Sequence, residues 1–402
     1  EIPVPAWVID DPDSPFGTDN GTAAYWRAAC GITEAGHLIA PDVTEYVRTE
    51  EAPYAPNQEK EAFRVCTSTI KGASTGYANP LLRRIWKGFL YRQRRWESGP
   101  GGDLRVTRDP VADLGMEYHY EEIGGWMREW YVYVPQQVKE NPDRPVPLVF
   151  AMHGYTCSGE IYAGNSDWYK VADKHGFIVV HPTATPGTVE AETQASSPDN
   201  VPLPAWNFMH AAPDGPDEQL FFRTILDKVA ADHRIDRTRV YVTGHSHGSV
   251  MTQVLAMTMP DAFAAAAPCS GVLFRGFGMD IRILDEIRNR KEGEIPVWMF
   301  GGEQEPWLLQ AVPDDENDTG DSIRIWRAIN HLEPALPRNW EEGWTENGRW
   351  HDLSYARADG APMVRYTWVD YMPHATMPEM SFRIWEEFFS RFSRVDGEVR
   401  YL

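Results

Sequence analysis

The chain of 402 residues has no apolar run of the roughly 18–20 residues that a membrane-crossing helix requires; its most apolar stretches, at 147–152, 177–180 and 262–268, are strand-sized. Positive charge is scarce. Against 59 acidic side chains stand 38 basic ones, a net charge of −21 that repels nucleic-acid phosphates and anionic lipid surfaces. Cysteine is rarer still, with four residues and no Cys-x-x-Cys spacing of the zinc or redox kind. The 12 histidines include no His-Glu-x-x-His and no ligand-like pairing with acids, so neither a metal nor any other cofactor is implied. No repeat or low-complexity tract is visible. What remains is an ordinary globular composition, 42% hydrophobic and 24% charged.

The four cysteines allow two readings: buried thiols throughout, or two disulfides, Cys30 with Cys66 and Cys157 with Cys269. The chain starts at Glu1 rather than Met, as after removal of a signal peptide or a trimmed start, so the expected location is secreted or extracytoplasmic, with a cytoplasmic one left open.

From about residue 116 strand and helix patterns alternate. Residues 118–123 and 127–134, separated by Gly124-Gly125, read as an antiparallel hairpin. Residues 147–152 (PLVFAM) and 177–181 read as strands buried on both faces, with a helix at 167–174 between them. A long helix is expected over 217–232, strands at 240–243, 262–268, 296–300 and 364–369, a helix at 249–257, and a closing amphipathic helix over 380–392. This order implies an α/β fold, a mostly parallel central sheet with helices on both faces. Residues 111–402 form the expected catalytic domain. Residues 1–110, rich in Pro, Asp and Glu, form an N-terminal extension with helices at 22–30 and 79–96. Six basic side chains at 81–96 suit a helix docking on the acidic body. The Pro-, Ser- and Asp-rich loop 187–218 is long enough to wall a site.

The chemistry centres on Gly244-His245-Ser246-His247-Gly248, a G-x-S-x-G between an expected strand and an expected helix. Such glycines permit a sharp turn that lifts the serine hydroxyl out of the sheet, with a helix N-terminus aimed at developing negative charge. Ser246 needs a base, an orienting acid and two oxyanion donors. The backbone amides of Tyr155, in the His153-Gly154-Tyr155 turn, and of His247 are the expected donors. Chain order in this architecture is serine, acid, histidine, which selects His374 over His351 as base. It also places the acid in the loop after 296–300, where Glu305 leads and Glu303, Asp314 and Asp315 stay open. His245, Trp206 and Trp307 are candidate substrate-binding residues, the two indoles as platforms for an acyl chain, a phenolic ring or a sugar.

Three blocks, 148–158 (LVFAMHGYTCS), 240–271 (VYVTGHSHGSVMTQVLAMTMPDAFAAAAPCSG) and 372–392 (MPHATMPEMSFRIWEEFFSRF), together with Trp206-Asn207, resemble the polyhydroxybutyrate depolymerase and feruloyl esterase-like branch of the α/β-hydrolases. The resemblance covers about residues 118–392. It implies a Ser246, His374 and acid triad, with Glu305 standing where members usually carry Asp. The implied activity is a serine esterase acting on a polyhydroxyalkanoate-type polyester or on a feruloyl or acetyl ester of plant cell walls. The partner is then a small or polymeric ester, with no nucleic acid and no membrane span, and the oligomeric state is unread. The competing readings are a serine peptidase on the same fold and a binding module on a dead hydrolase scaffold.

Overall fold

A computed structural model describes residues 4–10, 21–40, 43–48, 64–69, 85, 89–90, 93–95, 104–106, 111, 114–185, 204–207, 215–273, 293–305, 312–314, 317–332 and 345–402. The chain divides into two units, Glu1–Asp109 with Ser197–Asp199, and Pro110–Ser196 with Asn200–Leu402.

In the first unit, β1 (Ala6–Asp10), β2 (His37–Ala40), β3 (Val43–Val47) and β4 (Arg64–Thr69) form a sheet of order β1-β4-β3-β2, with the helix α1 (Thr22–Ala29) after β1. Only β1 and β4 run parallel. The sequence suggested helices alone here. The short runs that become strands, such as VTEYV, gain their sheet partners only through chain reversal. The helix expected over 79–96 is corrected at its end, because Gln93–Arg95 is a strand, β5, paired with β6 (Leu104–Val106). Gly99-Pro100-Gly101-Gly102 between them favours reversal over helix. Most of the remaining stretch, including most of its basic cluster, lies outside the described residues.

All four cysteines are free thiols. The Cys30–Cys66 pairing fails for a geometric reason. Successive residues of a strand face opposite sides, and Cys30 packs with Val65 and Ile32, whereas Cys66 joins Val43, Ile85 and Phe89 on the other face of β4. In the second unit Cys157 Sγ lies 3.7 Å from the Ser158 carbonyl and Cys269 Sγ 3.6 Å from that of Ala267, each thiol turned to its own segment.

The second unit begins with β7 (Glu117–Ile123) and β8 (Trp126–Tyr133), joined by Gly124 and Gly125, both at positive φ (63° and 83°), as a tight hairpin demands. Then follow β9 (Val146–Met152), α2 (Gly159–Ser166), α3 (Trp168–His175), β10 (Ile178–Thr183), α4 (Glu218–Asp232), β11 (Ile235–His245), α5 (His247–Thr258), β12 (Ala265–Cys269) and β13 (Val297–Gln304). The chain continues through α6 (Asp318–Ile329), β14 (Thr345–Asn347), β15 (Trp350–Ala356), β16 (Pro362–Pro373) and α7 (Pro378–Glu387). The sheet order is β7-β8-β10-β9-β11-β12-β13-β16-β15-β14, and the six strands from β10 to β16 are parallel. Both faces are covered, as a parallel sheet requires. Leu148, Phe150, Val240 and Val242 join α4, α5 and α6 in one core. Tyr241, pointing the other way, packs on Trp385 of α7 and on Phe389.

Several features depart from the sequence expectation, among them the helices α2 and α6, which it did not include. Strands β14 and β15 extend the sheet antiparallel beyond β16. The closing helix ends at Glu387 rather than continuing to 392, and β17 (Phe392–Val395) pairs with β18 (Glu398–Tyr401). Phe388 leaves the helical conformation (φ −136°, ψ −71°), and a 3-10 turn over Phe389–Arg391 carries the chain into β17. Among the described residues no helix is long and apolar enough to cross a membrane.

Candidate active site

Strand β11 delivers Ser246 to the C-terminal edge of the sheet, in the crevice where ligands of open α/β sheets bind. Ser246 has φ 56° and ψ −116°, a conformation that serine rarely adopts, which turns its hydroxyl outward at the start of α5. The flanking glycines are required by crowding. A Cβ at Gly244 would lie 2.5 Å from the Gly248 carbonyl oxygen, and one at Gly248 would lie 2.5 Å from that of His153.

His374 follows β16 and lies between Ser246 and Glu305. Its Nδ1 lies 2.5 Å from Glu305 Oε2, and its Nε2 lies 2.8 Å from Ser246 Oγ. A carboxylate can only accept, so Nδ1 carries the proton and Nε2 presents a lone pair to the serine hydroxyl. Glu305 sits in the tight turn after β13, closed by its N–H donating to the Gly302 carbonyl, and its side chain is 2% exposed. The other acids are elsewhere engaged: Glu303 accepts the Tyr371 N–H at 2.7 Å, and Asp314 is exposed. His351 pairs with Asp370 at 3.0 Å and stacks on Trp368. Asp315 and Trp307 lie outside the described residues.

The turn after β9 carries Tyr155, and a four-residue segment braces that turn. The Trp206 indole N–H donates to the His153 carbonyl (3.0 Å), the Trp206 backbone N–H donates to His247 Nδ1 (3.1 Å), and the Thr156 N–H donates to the Pro204 carbonyl (3.0 Å). Asn207 in turn donates its N–H to Glu218, which is ion-paired to Arg128 at 2.7 Å, both side chains fully buried. Trp206 is 1% exposed and packs on His153 and Phe222, so the assignment of its ring as an open substrate platform is corrected: the indole is a brace beneath the turn. A tryptophan in a polar loop gives no sign in sequence of which way it faces, and this brace was therefore missed.

Three histidines around Ser246 are neutral because burial removes water from the charged form. His153 is held down at about 4, and its Nε2 accepts the Ala184 N–H. His247 is lowered to about 3 by burial and then by His153, and His245 to about 3 by burial and then by His374. The His245 ring lies 4.8 Å from that of His374, and its Nε2 is buried without a hydrogen-bond partner among the described residues. His245 therefore packs against His374 from the turn that carries Ser246.

A family profile described as Esterase PHB depolymerase matches residues 130–300. Feruloyl esterase B of Talaromyces stipitatus is 32% identical over 36% of this chain and 36% of its own length, and poly(3-hydroxyalkanoate) depolymerase C of Paucimonas lemoignei is 35% identical over 36% and 31%. The chain thus spans about a third of the length of these curated relatives. Among solved structures, an acetyl xylan esterase from Aspergillus awamori superposes with a TM-score of 0.51 at 18% identity, covering 68% of this chain and 98% of that one. Residues 130–300 therefore carry the pattern of the Esterase PHB depolymerase family, within a chain folded as an α/β-hydrolase.

Proposed function

We propose that the protein is a serine esterase that cleaves carboxylic esters through an acyl-enzyme formed on Ser246. The observation that carries this reading is the unbroken relay from Glu305 through His374 to Ser246, at 2.5 and 2.8 Å. His374 Nε2 takes the hydroxyl proton as Oγ bonds to the ester carbonyl carbon. The carbonyl oxygen becomes an oxyanion held by the amides of Tyr155 and His247, with the α5 dipole adding to the second. Glu305 stabilises the imidazolium. The tetrahedral centre collapses, the ester C–O bond breaks, and His374 gives its proton to the departing alkoxide. Water then repeats the sequence on the acyl-enzyme and releases the acid.

The substrate is a polyhydroxyalkanoate-type polyester or oligoester, or a feruloyl or acetyl ester of plant cell-wall material; the names of the relatives support both classes. The test is a rate panel of short-chain nitrophenyl esters, methyl ferulate and emulsified polyhydroxybutyrate, with Ser246→Ala as the blank. Ferulate turnover without polymer clearing selects the cell-wall class, and clearing selects the polyester class. Ester hydrolysis surviving in Ser246→Ala refutes the mechanism.

A further inference from the structure

We propose that Ser270 is a positioning residue that sets the gap between Ser246 and His374; this rests on reading those two as nucleophile and base. Ser270 stands just after β12, 1% exposed, with φ 55°, in the left-handed region where glycine is at ease and serine is not. The turn it occupies is tied firmly to the nucleophile. The Cys269 carbonyl accepts the Ser246 N–H at 2.9 Å, and the Gly271 carbonyl accepts both Ser249 Oγ (2.7 Å) and Gln253 Nε2 (3.0 Å) from α5. The Ser270 N–H donates to the Phe300 carbonyl at 2.8 Å, fixing the turn to β13, the strand that leads to Glu305.

From this anchored turn one hydroxyl reaches the base loop. Ser270 Oγ donates to the Ala375 carbonyl at 3.0 Å, one residue past His374. The same loop is also held through the side chain of Thr376, which hydrogen-bonds the buried Tyr162 hydroxyl. Ser270 therefore joins the nucleophile's frame to the base's frame by a single directional bond. A strained non-glycine backbone at such a junction is explained when the side chain has work that glycine cannot do. A small displacement of reacting groups is costly in rate, because the proton must pass along one hydrogen bond.

The test compares Ser270→Ala, Ser270→Gly and Ser270→Cys in the full chain, with active sites titrated by a fluorophosphonate and rates measured on a nitrophenyl ester. Alanine and glycine both lose the donor, and glycine also relieves the backbone. The expected result is a kcat per titrated site about tenfold lower in both, the weight of one hydrogen bond, with KM within about twofold of wild type. Cysteine, a weak donor, falls between. Glycine melts at or above alanine, which separates activity from stability and keeps the test valid should the alanine variant fold poorly. A glycine variant with wild-type kcat per site, or a KM that moves as far as kcat, overturns the proposal. Ser246→Ala run beside them is separate: if it still hydrolyses ester, the triad reading fails and this proposal falls with it.

Discussion

Replacing Glu305 with glutamine keeps the shape of the side chain and removes its charge. Both carboxylate oxygens face N–H donors: Oε2 accepts from His374 Nδ1 at 2.5 Å, and Oε1 accepts from the Gly302 N–H at 3.3 Å. An amide has one acceptor oxygen, so either orientation sets its NH2 group against a donor. If the NH2 turns to His374, Nδ1 must become the acceptor, the ring proton moves to Nε2, and the base can no longer take the serine proton. If the oxygen turns to His374, the tautomer survives but the charge that stabilises the imidazolium is gone. Opposite unit charges about 4 Å apart at an effective dielectric of about 20 attract by about 4 kcal/mol. With the His374 side chain 30% exposed, screening leaves about 2–3 kcal/mol, or roughly a hundredfold in rate. Glu305→Gln is therefore expected to lose at least about 10²-fold in kcat, approaching about 10⁴-fold if the tautomer inverts. Nitrophenyl acetate hydrolysis per titrated site measures this, with KM changing little and Glu305→Asp retaining part of the rate. A glutamine variant that folds and stays within tenfold of wild type would refute the reasoning and turn attention to Glu303.

Arg128→Met leaves Glu218 buried and unpaired, and should destabilise the protein by about 3–5 kcal/mol in denaturant titration; a loss below about 1 kcal/mol would mean that water reaches the pair. Trp206→Phe strips the indole donor from the His153 carbonyl, costing about 1–3 kcal/mol. It should lower kcat alike for acetate and bulky esters, whereas a KM rise confined to bulky esters would show the ring touching substrate. Stability should also fall with acid. His153 is held at about 4, and His181, His245 and His247 at about 3, against 6.5 for free imidazole, so the unfolded chain binds protons that the native state refuses. This stability is fully present above pH 6.5 and is lost as pH falls through that window; a Tm flat from pH 6.5 to about 4 would contradict it.

Much of the α/β unit was legible because its signals are local. PLVFAM has no polar side to show, so it had to lie inside a parallel sheet, and Gly124-Gly125 marked its hairpin by the positive φ that only a tight reversal needs. The glycines around Ser246 were legible for a different reason: the backbone approach they permit is a property of the turn itself. For Glu305 and His374 chain order is the guide in the sequence, and it ranks an acid without selecting one, since all four candidate carboxylates follow the expected strand 296–300. What escaped depends on direction or on distant partners. Trp206 faces inward and Cys30 and Cys66 lie on opposite faces of one strand, and neither fact leaves a mark in sequence. Ser270 sits in PCSG, where nothing announces a left-handed backbone. The end of α7 was missed because EEFFSRF suits a helix and holds no Gly or Pro to mark a stop.

The four thiols offer a use that their chemistry makes unusually clean. Burial raises all of them, Cys66 and Cys157 to about 11 and Cys269 to about 12, so native thiolate is vanishingly rare at neutral pH. Alkylation of the buried Cys30, Cys66 and Cys269 by a maleimide should then proceed only through opening of the chain around each sulfur, whereas half-buried Cys157 is reached in part from solvent. Cys30 and Cys66 belong to the first unit, Cys157 and Cys269 to the second. Mass mapping of the modified cysteines over time would thus act as a built-in clock for each unit, reading how often the extension and the hydrolase body breathe without any engineered label.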